Sequence, residues 1–465
     1  MPALKPVVVI GHGVWLELTC ALIARQLRTA GISICALVLP EPVPEAQSLC
    51  LGPEWLALCT QLQCPPLQLL LQAKGHVSLG CQYQSDQKQW FVPFGFYGLQ
   101  AGVSEFEQLL LASLAADTHA MTISADQVSV AAQAAINQKF ALAPDKRTDL
   151  QHAMAFGVQL DSAALMTYLH RHNLTTGVKY HSSTQLSLNS DATGCITRVE
   201  LDKARTLPFS FVLDCRLIDN PPAVAPASML LRFWADAPPD AATPCSFAMR
   251  TSWGWLSKHR LLKRNHWQSV VDTAKLDLAQ VLAELQQKTG ITQWQYQLTH
   301  MPSLELQPLQ TNVLRCGMAL AAVDQPLYSG FTALQFLLER WLQLLPVNSA
   351  SLATATLFNA EWQHFQAEAQ AYIRCHEHPL STTQGQLFAN TGRLLPPETD
   401  AIFPAQWFGL LLGLGLRPQS PSVLLAKRST AELRDALGLV QQSIGRLVSG
   451  MPTYSDTLAR WQGVR

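Results

Sequence analysis

The stretch "VVVIGHGVWLELTCALIARQL", residues 7–27, constrains the fold more than any other part of this chain. β-Branched residues feed Gly11-His12-Gly13, and an amphipathic helical pattern follows at once. A second apolar run, "ISICALVL", comes after Gly31, a helix-stop residue, so residues 6–40 predict a βαβ start and a parallel sheet. In G-x-G-x-x-G turns the first glycine permits the tight turn and the second lets a pyrophosphate approach the helix N-terminus. Gly11 and Gly13 meet those needs, with Val14, Trp15 and Leu16 as the next candidate contacts. The third glycine serves close packing of helix on strand, and Leu16 stands there. Its isobutyl group must push helix from sheet or be compensated elsewhere. The acid that holds a ribose at the end of the second strand is replaced by Leu39. Glu41 comes two residues late, placed either to reach the ribose from the loop or to be solvated.

Further along, "HVSLGCQYQSDQKQWFVPFGFYG" alternates like a hairpin or meander. "GPEWLALCTQL" predicts a short helix with Pro53 in its first turn, and "SADQVSVAAQAAINQ" one continuous helix. Asp161 opens "SAALMTYLHRH" as an N-cap, and strands surround the "SDATG" turn. Sheet-like patterns return from "SMLLRFWAD" to "SWGWLSKH", and from "ATLFNAEWQHFQAEAQAYIRCHE" onward the pattern is mostly helical.

With 465 residues the chain can hold two or three domain-sized units. Lys plus Arg equals Asp plus Glu, 33 each, and only 14% of residues are charged, which speaks against nucleic acid and anionic membranes as partners. Eleven cysteines show no C-x-x-C pair or zinc spacing and read as buried free thiols in a reducing compartment, with no metal site. Entry into the first strand leaves no room for a signal peptide, and "WFGLLLGLGL" is too short to cross a bilayer, so the expectation is a soluble, cytoplasmic protein without membrane partners.

The ordered set of segments resembles the flavin-dependent tryptophan halogenase family, a branch of the FAD monooxygenases. "VIGHGVWLELTCALIARQL" resembles the family's first nucleotide turn, "FGVQLDSAALMTYLHRH" its strand into an Asp-led helix, and "FVLDC" its strand ending in Asp-Cys-Thr-Gly. "SWGWLSKH" is similar to Trp-x-Trp-x-Ile-Pro, "CGMALAAVDQPLYSGFTAL" to the late Gly-x-Ala-Ala flavin loop, and "PAQWFGLLLGLGLRP" to a C-terminal segment. The resemblance implies an α/β fold: an FAD-binding Rossmann-like domain over residues 1–345, interleaved with a substrate-domain sheet at about 76–150 and 225–305. A mostly helical region at 346–465 completes it. It also implies FAD as cofactor, a flavin reductase and a small aromatic ligand as partners, and a homodimer or another protein partner. In that family the flavin generates hypohalous acid, which reaches a lysine and, aided by a glutamate, halogenates an indole-like ring.

The positions that carry this chemistry differ here. Ser78 of "VSLGCQY" stands at the lysine position, and a hydroxyl cannot serve as an ammonium. Lys74, four residues earlier, would lie roughly 13 Å away along an extended strand at about 3.3 Å per residue. Leu327 stands at the glutamate position, or Tyr328 if Gln325 is an insertion. Gly317, Ser329 and Gly330 of the late loop are kept, but Ala321 replaces a glycine and Arg216-Leu217 replaces Thr-Gly. "VPEAQSLCLGPEW" keeps only Glu45-Ala46 and Gly52-Pro53 of the loop that links flavin to halide. Trp253 and Trp255 preserve Trp-x-Trp and read as pocket wall or core. Three readings follow: a flavoenzyme with a rebuilt site, a non-catalytic binding or partner subunit, and a carrier with an indole-sized pocket lined by Trp253 and Trp255.

Overall fold

The computed structural model describes residues 5–40, 48–85, 88–98, 104–116, 124–143, 153–202, 205–216, 229–272, 277–300, 307–316, 326–344, 351–396, 399, 401–418 and 428–463. Glu41, Glu45, Ala46, Leu217, Gly317, Ala321 and Gln325 lie outside them.

Strand β1 (Val7–Gly11), helix α1 (Gly13–Thr29) and strand β2 (Ile34–Val38) form the expected βαβ unit. β1 sits inside a six-stranded sheet, paired in parallel with β2 on one side and with Phe211–Asp214 on the other. Every residue of β1 is buried, as a parallel strand covered on both faces requires. Twelve of the 17 residues of α1 are buried, so this helix is enclosed rather than amphipathic. Strand Val313–Arg315 and the edge pair Leu309–Gln310 complete one side, and Lys179–Ser182 the other.

A second sheet has seven strands in the order Gln295–His300, Met229–Ala237, Asn265–Asp272, Gly254–Arg260, Ser246–Thr251, Gly80–Gln84 and Gln89–Pro93. Its pairs are antiparallel except where Ser246–Thr251 runs parallel to Gly80–Gln84. A three-stranded sheet of Ser48–Leu51, Gly157–Asp161 and His76–Ser78 lies between them in the chain. The C-terminal part is helical, with Leu352–Cys375, Pro404–Gly413 and Thr430–Ser449 its longer members. The architecture is thus a Rossmann-like α/β sheet interleaved with a largely antiparallel sheet and closed by helices.

Two local expectations need correction. The helix after Pro53 starts at Trp55, with Glu54 as N-cap, and the Glu54 carboxylate turns back to accept from the Gly52 N–H at 3.0 Å. The single helix expected over "SADQVSVAAQAAINQ" is broken into a 3₁₀ turn, Ala125–Val128, and an α-helix, Val130–Ile136. Ser129 interrupts it with an extended backbone and caps the second piece through the Ala132 N–H at 3.2 Å. Asp161 does cap its helix, its Oδ1 accepting from the Ala164 N–H at 2.9 Å.

Helix Pro404–Gly413 is seated on the strand Gln89–Pro93 and the segment after it by two glycines one turn apart. A methyl group at Gly409 would reach the Tyr97 hydroxyl at 2.5 Å, and one at Gly413 would overlap the Trp90 indole. Trp90 cannot yield easily, being stacked on Tyr83 at 5.2 Å and edge-on to Trp255 at 6.0 Å. Gly413→Ala is therefore expected to destabilise the protein by about 2 kcal/mol despite alanine's better helix propensity. A denaturation midpoint equal to or above that of the parent would contradict this packing.

Candidate functional site

The three-strand junction at the C-terminal ends of β1, Phe211–Asp214 and Val313–Arg315 holds the first group of candidates. Gly11 has φ +157°, and a Cβ there would stand 2.9 Å from that of Cys215; Gly13 has φ +60°. Both glycines are thus demanded by the backbone itself, whatever the turn binds. Leu16 is 1% and Trp15 4% exposed, and Val14 and His12 are also buried. The compensation required by Leu16 is its incorporation, with Trp15, into the main hydrophobic core. At the ends of neighbouring strands, Leu39 packs into the smaller core on the other side of the sheet, and its N–H donates to Gly11 O at 2.9 Å. Arg216 folds back on Asp214 with two guanidinium bonds of 2.9 and 2.7 Å.

A dinucleotide on this turn needs the first N–H groups of α1 open to its pyrophosphate. Val14, Trp15 and Leu16 are buried beside that turn, and Leu39 rather than an acid follows β2. Of the contacts a dinucleotide uses, the described residues keep the two glycines, and they lack the third glycine and an acid at the end of β2.

One turn further, α1 carries a hydrogen-bonded polar cluster that the pattern of apolar residues conceals. The buried Glu17 carboxylate accepts from Asn173 Nδ2 at 2.8 Å and Tyr180 Oη at 2.5 Å, and lies 2.9 Å from His170 Nδ1. It ties α1 to helix Ser162–Thr175 and to strand Lys179–Ser182, which gives it a structural role.

Ser78 ends its strand with no exposed surface, its hydroxyl donating to Gly80 O at 2.9 Å and accepting from the Ser246 N–H at 3.2 Å. Lys74 does not precede it along an extended strand: it occupies an exposed turn with φ +48°, its carbonyl accepting from the Leu262 N–H. That turn removes the premise of the 13 Å reach, and Lys74 stands outside the buried surroundings of Ser78.

Leu327 is 8% exposed and holds φ +66°, a left-handed conformation that costs a leucine on the order of 1 kcal/mol. It lines a cavity with Cys50, Gly52, Glu54, Phe94 and Ser329, among others. The cavity measures about 10 Å³, room for a single water and far too little for an indole. Glu54 is the carboxylate in this wall, and spacing alone did not single it out. Thr332 Oγ1 and the Gly52 N–H both donate to its Oε1, at 2.9 and 3.0 Å. Burial raises its pKa above the ordinary carboxylate value, while these hydrogen bonds pull it down. The buried Ser329 hydroxyl has no hydrogen-bond partner among the described residues.

On the other side of the same loop, Pro326 lines a second cavity of about 100 Å³ together with Trp253, Trp255, Arg232, Gln268 and Glu377. Both tryptophans of the Trp-x-Trp pair therefore meet at one site. Trp253 Nε1 donates to Ser269 Oγ at 2.9 Å, and Ser269 donates on to the Trp255 carbonyl at 3.1 Å. Arg250 lies 5.2 Å over the Trp255 ring and is held by Glu377 through bonds of 2.8 and 2.6 Å.

Behind Trp255 the interior is filled with aromatic rings. Tyr83 stacks on Trp90 and meets Trp255 edge-on at 5.1 Å, while its hydroxyl lies 2.9 Å from His376 Nε2. His376 Nδ1 faces Tyr372 O at 3.0 Å, and Tyr372 meets Trp407 at 5.1 Å. Nδ1–H donates to that carbonyl, which leaves Nε2 to accept from Tyr83. His376 is therefore a core residue, and no group of three metal-ligating side chains exists among the described residues. No helix among them is long and apolar enough to cross a membrane.

The interleaved sheets and closing helices define the flavin-dependent halogenase fold. Superposition with BrvH, a flavin-dependent halogenase from Brevundimonas sp. BAL3, gives a TM-score of 0.85 at 19% identity, covering 99% of this chain and 100% of that one. Xcc4156, a flavin-dependent halogenase from Xanthomonas campestris, gives 0.84 at 17% identity, covering 99% and 98%. A tryptophan halogenase from Shewanella frigidimarina gives 0.78 at 14%, also covering 99% and 98%. No curated protein matches the chain by sequence. Residues 6–430 match the family described as tryptophan halogenase, and the chain belongs to that family.

Proposed function

We propose that this protein keeps the halogenase fold as a non-catalytic, flavin-free binding protein. The observation that carries this reading is the first turn of α1, where Leu16 stands in place of the third glycine and joins the main hydrophobic core with Trp15. Two further features support it. The position of the lysine holds a hydrogen-bonded buried serine, that of the glutamate a buried leucine, Leu327, or a buried tyrosine, Tyr328, and the space beside the leucine admits one water. Tyr83, Trp90, Trp255, His376, Tyr372 and Trp407 pack ring against ring next to the Trp-x-Trp pair.

The purified protein is expected to be colourless and to leave FAD fluorescence unquenched up to millimolar concentration. Saturable quenching with a dissociation constant in the micromolar range would overturn the reading and favour a flavoenzyme with a rebuilt site, served by a reductase. Domain organisation follows the same proposal: a flavin-type α/β unit over 1–345 that no longer receives flavin, and a helical region over 346–465 that packs on the ligand side.

A further inference from the structure

The end of helix Trp55–Leu62 draws two cysteines together through its backbone. Gln63 holds the left-handed conformation, φ +50°, with its N–H donating to Thr60 O at 3.2 Å, and the Cys64 N–H reaches back to Cys59 O at 3.1 Å. These two bonds make a Schellman ending, in which the side chains at the two ends of the longer bond commonly touch. Here both are cysteines, and the Cys59 thiol is hydrogen-bonded to that of Cys64. Their surroundings differ. Cys59 is 3% exposed and belongs to the main core, whereas Cys64 is half-buried at its edge. Tyr168, on helix Ser162–Thr175, gives Cys64 a second hydrogen bond through its hydroxyl. The bond from Cys59, with that from Tyr168, holds the Cys64 thiol below its ordinary pKa against the opposing effect of burial; the shared bond and burial push Cys59 up.

We propose that Cys59 and Cys64 are a site of reversible oxidation by hydrogen peroxide, closing to a disulfide across the end of this helix. A thiolate rather than a thiol attacks a peroxide, so Cys64 reacts first. Its sulfur takes one peroxide oxygen as the O–O bond breaks, giving a sulfenic acid, and the hydroxide that leaves takes up the proton Cys64 had released. The sulfur loses two electrons and the peroxide gains them. Cys59 then attacks the sulfenic sulfur: the S–S bond forms, the S–O bond breaks, and the departing hydroxide leaves with the Cys59 proton as water. Two thiols and one peroxide thus yield one disulfide and two waters. Nearness alone would favour a different pair, since Cys215 Sγ and Cys316 Sγ lie 3.6 Å apart. Both are enclosed, however, and the Cys316 thiol is pushed well up by its bond to Cys215 and by burial. Without a thiolate or a path from solvent, that pair stays reduced. None of this depends on whether flavin is bound.

Peroxide mapping of the full chain is the test. The reduced protein is treated with a small molar excess of hydrogen peroxide near neutral pH, the remaining thiols are alkylated in denaturant, and fragment masses locate the lost hydrogens. A Cys59–Cys64 disulfide is expected to form before any at Cys215–Cys316 and to be reversed by dithiothreitol. In the native, reduced protein, iodoacetamide is expected to alkylate Cys64 about fivefold to tenfold faster than Cys195, the gain in thiolate outweighing its lower nucleophilicity. Cys195 is a fair reference, being also half-buried but held above its ordinary pKa by burial and Asp191. In Cys59→Ser, oxidation is expected to stop at a Cys64 sulfenic acid that dimedone captures; in Cys64→Ser, Cys59 is expected to stay reduced at the same dose. Earlier oxidation of Cys215–Cys316, no Cys59–Cys64 disulfide under excess peroxide, or equal alkylation of Cys64 and Cys195 in the parent overturns the proposal without any variant having to fold.

Discussion

The double variant Ser78→Lys, Leu327→Glu is expected to produce no halogenated indole and to be several kcal/mol less stable than the parent. Ser78 has no exposed surface and satisfies both Gly80 O and the Ser246 N–H. A lysine there forfeits those bonds and brings an ammonium into a site with no carboxylate among its hydrogen-bond partners, a combination that costs several kcal/mol. A glutamate at 327 would share a cavity of about 10 Å³ with Glu54, and two carboxylates in so small a space cannot both ionise cheaply. The catalytic pair is therefore not a detachable part missing from an otherwise prepared site. Incubation with a flavin reductase, FAD, bromide and indole, followed by mass spectrometry, reads the activity, and urea denaturation reads the stability. Brominated indole above the reductase-only control would refute the proposed closure of the flavin site.

Replacing His376 by glutamine is expected to flatten the dependence of stability on pH between about 6.5 and 4. Burial depresses the pKa of His376 to about 4, against a partial upward pull from its bond to Tyr372 O; Arg250 nearby lowers it further. The unfolded imidazole titrates near 6.5. The neutral folded form thus contributes its full stability above pH 6.5. As pH falls the unfolded state takes up the proton first, and stability is lost at up to roughly 1.4 kcal/mol per pH unit, about 3 kcal/mol in all by pH 4. His76, at about 4, and His259, at about 3, act in the same direction. Glu107, raised to about 8, and Asp126, raised to about 6, act oppositely, since the fold holds their protons more tightly than the unfolded chain does. The informative quantity is therefore the difference between parent and variant curves, in which those groups cancel. Parallel curves from pH 7 to 4 would mean that His376 is charged in the fold or reached by water.

What could be read from the sequence was what acts over short range. The alternation of period in residues 7–38 marks strand, helix and strand, Asp161 announces its helix by its place before "SAALMTYLHRH", and Trp253 and Trp255 are two residues apart on one segment. The site escaped where it depends on residues far apart in the chain. Tyr83 and His376 are 293 positions apart, and Thr332 reaches Glu54 across 278. Leu327 looked like a lost carboxylate; its left-handed backbone, a property that leucine's own preferences argue against, emerged only with the fold. The break at Ser129 shows the reverse limit, a local cap overriding a helical period that would otherwise run on.

The two glycines that seat helix Pro404–Gly413 also set an order of events. Trp90 and Tyr97 rest against a helix that begins more than three hundred residues later in the chain. Contacts of such separation are made late, after the entropy of closing a very long loop has been overcome. During synthesis the sheet around Trp90 emerges long before its cover. Until the last hundred residues arrive, the nascent chain presents an aromatic face to its surroundings, a load that falls on chaperones rather than on the finished protein.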